Sequence, residues 1–197
     1  MRALSLLLTT ISASAAFAQD PAIPRFVEET EAAGFTHSFN GEWEFMVGGG
    51  AAVFDCSGDG LPEVFAAGGT AQAQLFRNDS EMGGALRLTP VESGLEMDSV
   101  SGGYPIDIDS DGVIDLAVMR VGDDRLMRGL GDCRFEDASA DWGFDGLDLW
   151  STAFAATWEK GAGWPTLAVG TYIDRTEEAF PWGNCTANHL YRPDGKG

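Results

Sequence analysis

The chain has 197 residues, of which 44% are hydrophobic and 22% charged, a composition that folds and is not that of a disordered chain. Thirty-one Asp and Glu oppose 12 Lys and Arg, so the net charge is −19. That excess repels phosphate backbones and excludes nucleic acid as a partner class. The 26 glycines follow no collagen-like period and read as turns, so acid plus glycine points to a turn-rich β protein or a binder of hard cations.

Residues 1–18 have the pattern of an export signal: Arg2, a short apolar stretch over residues 4–11, then the small-x-small triplet Ala16-Phe17-Ala18. Cleavage is expected before Gln19. Thr9, Thr10, Ser12 and Ser14 interrupt the apolar stretch too often for a membrane anchor, and no later segment is long and apolar enough to span a bilayer. The expectation is a secreted or periplasmic soluble protein with no membrane span.

Residues 19–45 carry the string Phe26 to Gly34-Phe35, an aromatic entry followed by Gly and an apolar residue. The same pattern returns from Leu88 to Gly94-Leu95 and from Phe135 to Gly143-Phe144. A second string, Ala73-Gln74-Leu75-Phe76-Arg77-Asn78, returns as Asp124-Arg125-Leu126-Met127-Arg128-Gly129 and as Asn188-His189-Leu190-Tyr191-Arg192-Pro193. A third, an acidic loop, starts at Asp55 and again at Asp107. The period is roughly 50 residues, the range of propellers and solenoids. Short apolar runs at 63–67 and 113–119, bounded by Gly or Asp, predict strands. Each unit thus supplies several short strands, which fits a four-stranded blade. Repeats are expected over residues 46–197, with the last blade cut short. The mature length predicts an all-β, incomplete propeller of about three to four antiparallel blades.

The loop Asp107-Ile108-Asp109-Ser110-Asp111-Gly112-Val113-Ile114-Asp115 spells D-x-D-x-D-G-x-x-D. Carboxylates at alternate positions converge when the backbone curls. Gly112 permits the turn, Val113 offers its carbonyl and Asp115 closes the far side. Calcium takes six to eight oxygen ligands in a flexible arrangement, which such a loop supplies with water. Zinc prefers His or Cys, and none is present in it. The partner loop, Asp55-Cys56-Ser57-Gly58-Asp59-Gly60-Leu61-Pro62-Glu63, has Ser57 where a carboxylate stood and Glu63 in the last position, and is expected to bind more weakly. An EF-hand would need Glu twelve positions along, where Ala66 and Val118 stand. A third loop near residue 158 has Trp158, Lys160, Ala162 and Thr166 in place of acids around Gly163, and should bind no calcium. Lys160 is either an internal positive charge replacing the metal or a surface lysine.

The Val53-Phe54-Asp55 entry to an acidic loop, the Leu-Phe-Arg-Asn string, and Phe-x-Asp-x-Ser leading to Trp-Gly-Phe resemble the FG-GAP/VCBS repeat proteins, most like the group related to cartilage acidic protein and the ASPIC/UnbV proteins. The resemblance implies a β-propeller whose blades hold calcium between their first two strands and which serves mainly as an extracellular binding scaffold. By position it implies ligands at Asp55, Ser57, Asp59, Leu61 (carbonyl) and Glu63, and at Asp107, Asp109, Asp111, Val113 (carbonyl) and Asp115.

Three cysteines in an exported chain predict one disulfide and one thiol. Cys133 and Cys185 both stand at turn-like places and are the expected pair, with Cys56 a small buried apolar residue. Without a C-x-x-C, no zinc ribbon or redox motif is signalled. Neither His37, read as exposed, nor His189, read as a strand residue, belongs to a catalytic motif, and no G-x-S-x-G, H-E-x-x-H or P-loop occurs. Trp43, Trp150, Trp158, Trp164 and Trp182 either line a carbohydrate site or pack in the core. Two functions follow: a non-catalytic calcium-binding scaffold for adhesion or recognition of a protein or carbohydrate ligand, or a polysaccharide hydrolase or lyase with structural calcium, using a carboxylate pair.

Overall fold

The computed structural model describes residues 23–46, 49–175, 177 and 184–195. The expected export signal and Trp182 lie outside them. Apart from one helical turn, α1 (Thr30–Ala33), and a short 3-10 turn at Trp43–Phe45, the regular structure is antiparallel strand. Strands β1 (Ala51–Phe54), β2 (Glu63–Ala66), β3 (Gln74–Asn78) and β4 (Leu88–Val91) form the first blade in sequence order. The second blade is β5 (Val100–Ile106), β6 (Asp115–Asp123), β7 (Arg125–Gly129) and β8 (Phe135–Asp137). The third has β9 (Asp148–Thr157), β10 (Thr166–Thr171) and β11 (His189–Tyr191). The four-stranded unit and its roughly 50-residue period are therefore present as expected.

One feature departs from separate blades. The last residues of β6 run past the β7 turn and pair with β9, Val121 opposite Trp150 and Asp123 opposite Asp148, so the second and third blades share hydrogen bonds at one end. β6 has nine residues and β9 ten, against four in β1 and in β2, and that extra length makes the junction.

Side chains of alternate strand positions fill the spaces between blades. Phe65, Leu75, Leu95, Leu116, Val118, Met127 and Phe135 form the core between the first two blades. Ala117, Met119, Leu126, Phe144, Leu167 and Val169 form the core between the second and third. Trp150 is buried in a third cluster with Phe45, Val121 and Ile173, with Trp43 packed edge-on at 5.4 Å; for Trp150 the core reading holds. Truncating one fully buried leucine such as Leu75 would cost about 2–5 kcal/mol.

The disulfide joins Cys56 to Cys133, and Cys185 is a free, exposed thiol, which corrects the expected Cys133–Cys185 pair. The reason is blade order. The β7–β8 turn carries Cys133 on to the β1–β2 loop of the preceding blade, where the Cys133 N–H donates to the Cys56 carbonyl at 3.2 Å and the Cα atoms are 4.8 Å apart. Turn-like placement in the sequence gave no information about which blade a turn faces. His37 is likewise not exposed but half-buried, its Nε2 3.1 Å from the Ala67 carbonyl oxygen and its ring against Phe76.

Candidate metal loops and the inter-blade cleft

Both acidic loops close on their own backbone in the same way. In the first, Asp55 accepts the Gly58 N–H at 2.7 Å and the Gly60 N–H at 2.9 Å, and Asp59 accepts the Leu61 N–H at 2.8 Å. In the second, Asp107 accepts the Asp111 and Gly112 N–H groups, each at 3.1 Å, and Asp111 accepts the Val113 N–H at 2.7 Å. The first carboxylate of each motif therefore holds the far arm of the turn, and the fifth holds position seven. Gly60 and Gly112 both have positive φ, 82° and 87°, where a side chain would be strained.

The ninth position does different work from the rest. The Asp115 carboxylate is fully buried and accepts N–H groups from Ile108 at 2.7 Å and from Gly129 at 2.8 Å, tying loop to β7. Burial pushes its pKa up to about 6; the two N–H donors oppose that rise, and the neighbouring Asp109 and Asp111 charges add to it. Glu63 repeats half of this: Oε2 accepts the Cys56 N–H at 2.9 Å, while the buried Oε1 has no hydrogen-bond partner.

The donor chemistry fits a hard cation in the second loop. Carboxylate oxygens of Asp107, Asp109 and Asp111 lie within 4.8 Å of one another, and the set is all oxygen. In the first loop the structure gathers Cys56, Glu63 and Cys133 instead, and their sulfurs are joined to each other, so they are not metal donors. There the Ser57 hydroxyl donates to Asp55 at 3.3 Å, and the Asp59 carboxylate turns to the Leu61 N–H.

Sequence reading missed Arg128. Its Nε is 3.6 Å from Asp109, it pairs with Glu136 at 3.3 Å, and it stands 5.0 Å over the Trp142 ring. The signal was present, since Arg77, Arg128 and Arg192 recur in the same repeated string. Arg192 forms an ion pair with Glu159, and Glu159 accepts the Thr166 hydroxyl at 3.0 Å. Lys160 is exposed, so of its two readings the surface one holds.

The degenerate third loop forms one wall of a cleft of about 1070 Å³ between the second and third blades. Trp142, Phe144 and Trp164 line it together with Arg128, Lys160 and Arg192. Ser110 bridges the loops by donating to the Gly163 carbonyl at 2.7 Å. Trp43 and Trp158 are exposed and stand outside this lining.

Among known protein families, the FG-GAP-like repeat matches residues 55–118, which begin at the first acidic position of one loop and run through the second loop into β6. The matched stretch thus contains both candidate metal loops and one whole repeat period. No curated protein matches the chain.

Proposed function

We propose that this protein is an exported FG-GAP-type propeller scaffold, akin to the group of cartilage acidic protein and ASPIC/UnbV, whose loops bind calcium and whose surface recognises a protein or carbohydrate without turnover. The observation that carries the calcium reading is the convergence of the Asp107, Asp109 and Asp111 oxygens within 4.8 Å in a loop already closed by its own backbone. Three such charges at that spacing repel strongly, and a divalent ion removes the repulsion. Asp107, Asp109, Asp111 and the Val113 carbonyl would hold the ion, with Asp115 fixing the loop from behind. The calcium would supply charge neutralisation and rigidity; the chain's own residues set the blade geometry. In the first loop the same roles fall to Asp55, Ser57, Asp59, the Leu61 carbonyl and Glu63, whose unpartnered Oε1 is a buried acceptor in want of a positive partner.

Isothermal titration of the processed protein with calcium tests this. One or two sites are expected, at the about 10⁻⁴–10⁻³ M usual for extracellular modules. No heat and no change in melting temperature at several millimolar calcium would defeat the reading.

A further inference from the structure

The two acidic loops are anchored differently at their second position. In the second loop that residue is Ile108, 2% exposed, whose side chain packs in the core between the second and third blades and whose N–H donates to Asp115 at 2.7 Å. In the first loop it is Cys56, which stands between Asp55 and Ser57. Its N–H donates to Glu63 Oε2 at 2.9 Å, its carbonyl accepts the Cys133 N–H at 3.2 Å, and its sulfur is bonded to that of Cys133. Where one loop is seated by an apolar side chain, the other is seated by a covalent tie to the next blade.

The ninth positions differ in step with the second. Asp115 has one donor for each oxygen, the Ile108 and Gly129 N–H groups. Glu63 is 0% exposed and has the Cys56 N–H for Oε2, while Oε1 meets no donor. The Cys56 Sγ lies 3.4 Å from Oε2, but in the bridge it carries no hydrogen and offers the carboxylate nothing. A buried carboxylate oxygen without a donor costs free energy until a positive group completes it. The turn that holds the other sulfur is itself unusual: Asp132 and Cys133 both have positive φ, 52° and 56°, which non-glycine residues adopt at a cost.

We propose that the Cys56–Cys133 bridge is a redox latch on the first loop, which binds calcium tightly while the bridge stands and weakly once it is reduced. The inference rests on the calcium reading of the loops. Reduction takes two electrons and two protons from a dithiol, which closes to its own disulfide; the bond between the two cysteine sulfurs breaks and each gains a hydrogen. Two consequences act in the same direction. Cys56 loses its covalent hold, so the ion must itself order the Asp55 and Ser57 ligands on either side of it. The new Cys56 S–H, beside Oε2, becomes a donor to Glu63 and supplies from within part of the compensation that a cation would bring. Ordering one or so side chain on binding lowers affinity roughly threefold to tenfold. Linkage makes the effect reciprocal: calcium in the first loop makes the bridge harder to reduce by the same factor. The second loop, seated by Ile108, does not respond.

The test uses the processed protein carrying Cys185→Ser, so that the bridge is its one cysteine pair. In dithiothreitol redox buffers, with saturating calcium or with chelator, the bridged fraction is read by mass after thiol alkylation. Half-reduction in calcium is expected to need a higher ratio of reduced to oxidised dithiothreitol, by the factor given above. Asp107→Asn, which disables the second loop, should keep that shift; Asp55→Asn, or the milder Ser57→Ala, should diminish or abolish it. Calorimetric titration of the Asp107→Asn protein should show calcium binding that weakens by the same factor on reduction, whereas the Asp55→Asn protein should bind calcium alike in both states. A first loop that binds calcium equally well bridged and reduced would overturn the proposal alone. So would a shift that survives Asp55→Asn and is lost in Asp107→Asn, since it would then reflect global stability. No calcium heat from either loop in the bridged protein would overturn the metal reading and this inference with it.

Discussion

Two buried carboxylates show how the same side chain is used in opposite ways. Asp115 is a brace behind the second acidic loop, whereas Asp124, 1% exposed, accepts the Arg120 N–H at 2.7 Å and the Ser151 hydroxyl at 2.6 Å where the second and third blades join. Burial pushes the Asp124 pKa up to about 7, against the pull of those two donors. A carboxyl raised in the folded state holds its proton there after the unfolded chain has lost its own, so stability falls as pH rises from about 4 to about 7. The full effect is up to about 4 kcal/mol for a shift of this size. Asp124→Asn keeps an acceptor for Arg120 and should flatten the pH dependence of chemical unfolding across that window; equal slopes in variant and wild type would refute the assignment. For the second acidic loop, Asp109→Asn is expected to weaken the proposed calcium binding about tenfold or more, about 1.4 kcal/mol. The measurement is titration calorimetry, with Ser57→Ala as the control that leaves the second loop untouched.

At the scale of elements, the blades are fastened by turns reaching backwards. The Cys56–Cys133 bridge ties a β1–β2 loop to a β7–β8 turn 77 residues away. Replacing both cysteines by serine should cost about 2–5 kcal/mol in denaturant unfolding, and a Cys185→Ser change should cost nothing measurable. Gly94 is the second fastening. Its φ of 91° and the Phe135 carbonyl oxygen, 2.3 Å from where a Cβ would sit, leave no room for a methyl, so Gly94→Ala should destabilise the protein markedly more than Gly143→Ala, where a Cβ would meet nothing within 4 Å among the described residues. A melting comparison of the two decides it. The strands were legible in the sequence: the apolar runs at 63–67 and 113–119 overlap β2 (Glu63–Ala66) and the first part of β6 (Asp115–Asp123). The loops were legible too, because carboxylates at alternate positions beside a glycine are a local pattern. Arg128 was not, because its partners come from two separate segments, Asp109 from the second acidic loop and Glu136 and Trp142 from β8 and the turn after it.

For the whole molecule, charge is the dominant global fact. At −19 the metal-free protein repels itself, so added sodium chloride should raise its melting temperature by screening. Calcium should do so much more, about 2.7 kcal/mol per site at a hundred times the dissociation constant. Once calcium is bound, the salt response should shrink, because the closest charges are already neutralised. A salt response that is the same with calcium and with chelator would argue against bound metal. Differential scanning calorimetry in both conditions makes the comparison.

The amino-acid sequence by itself determined the repeat, the strands and the acidic loops, since each is written in residues within reach of one another along the chain. Only the tertiary structure decided which cysteines meet, where Asp124 is buried and which residues surround Arg128. Those depend on how one blade is laid against the next, and that packing is set by the summed fit of many side chains between sheets, not by any short string.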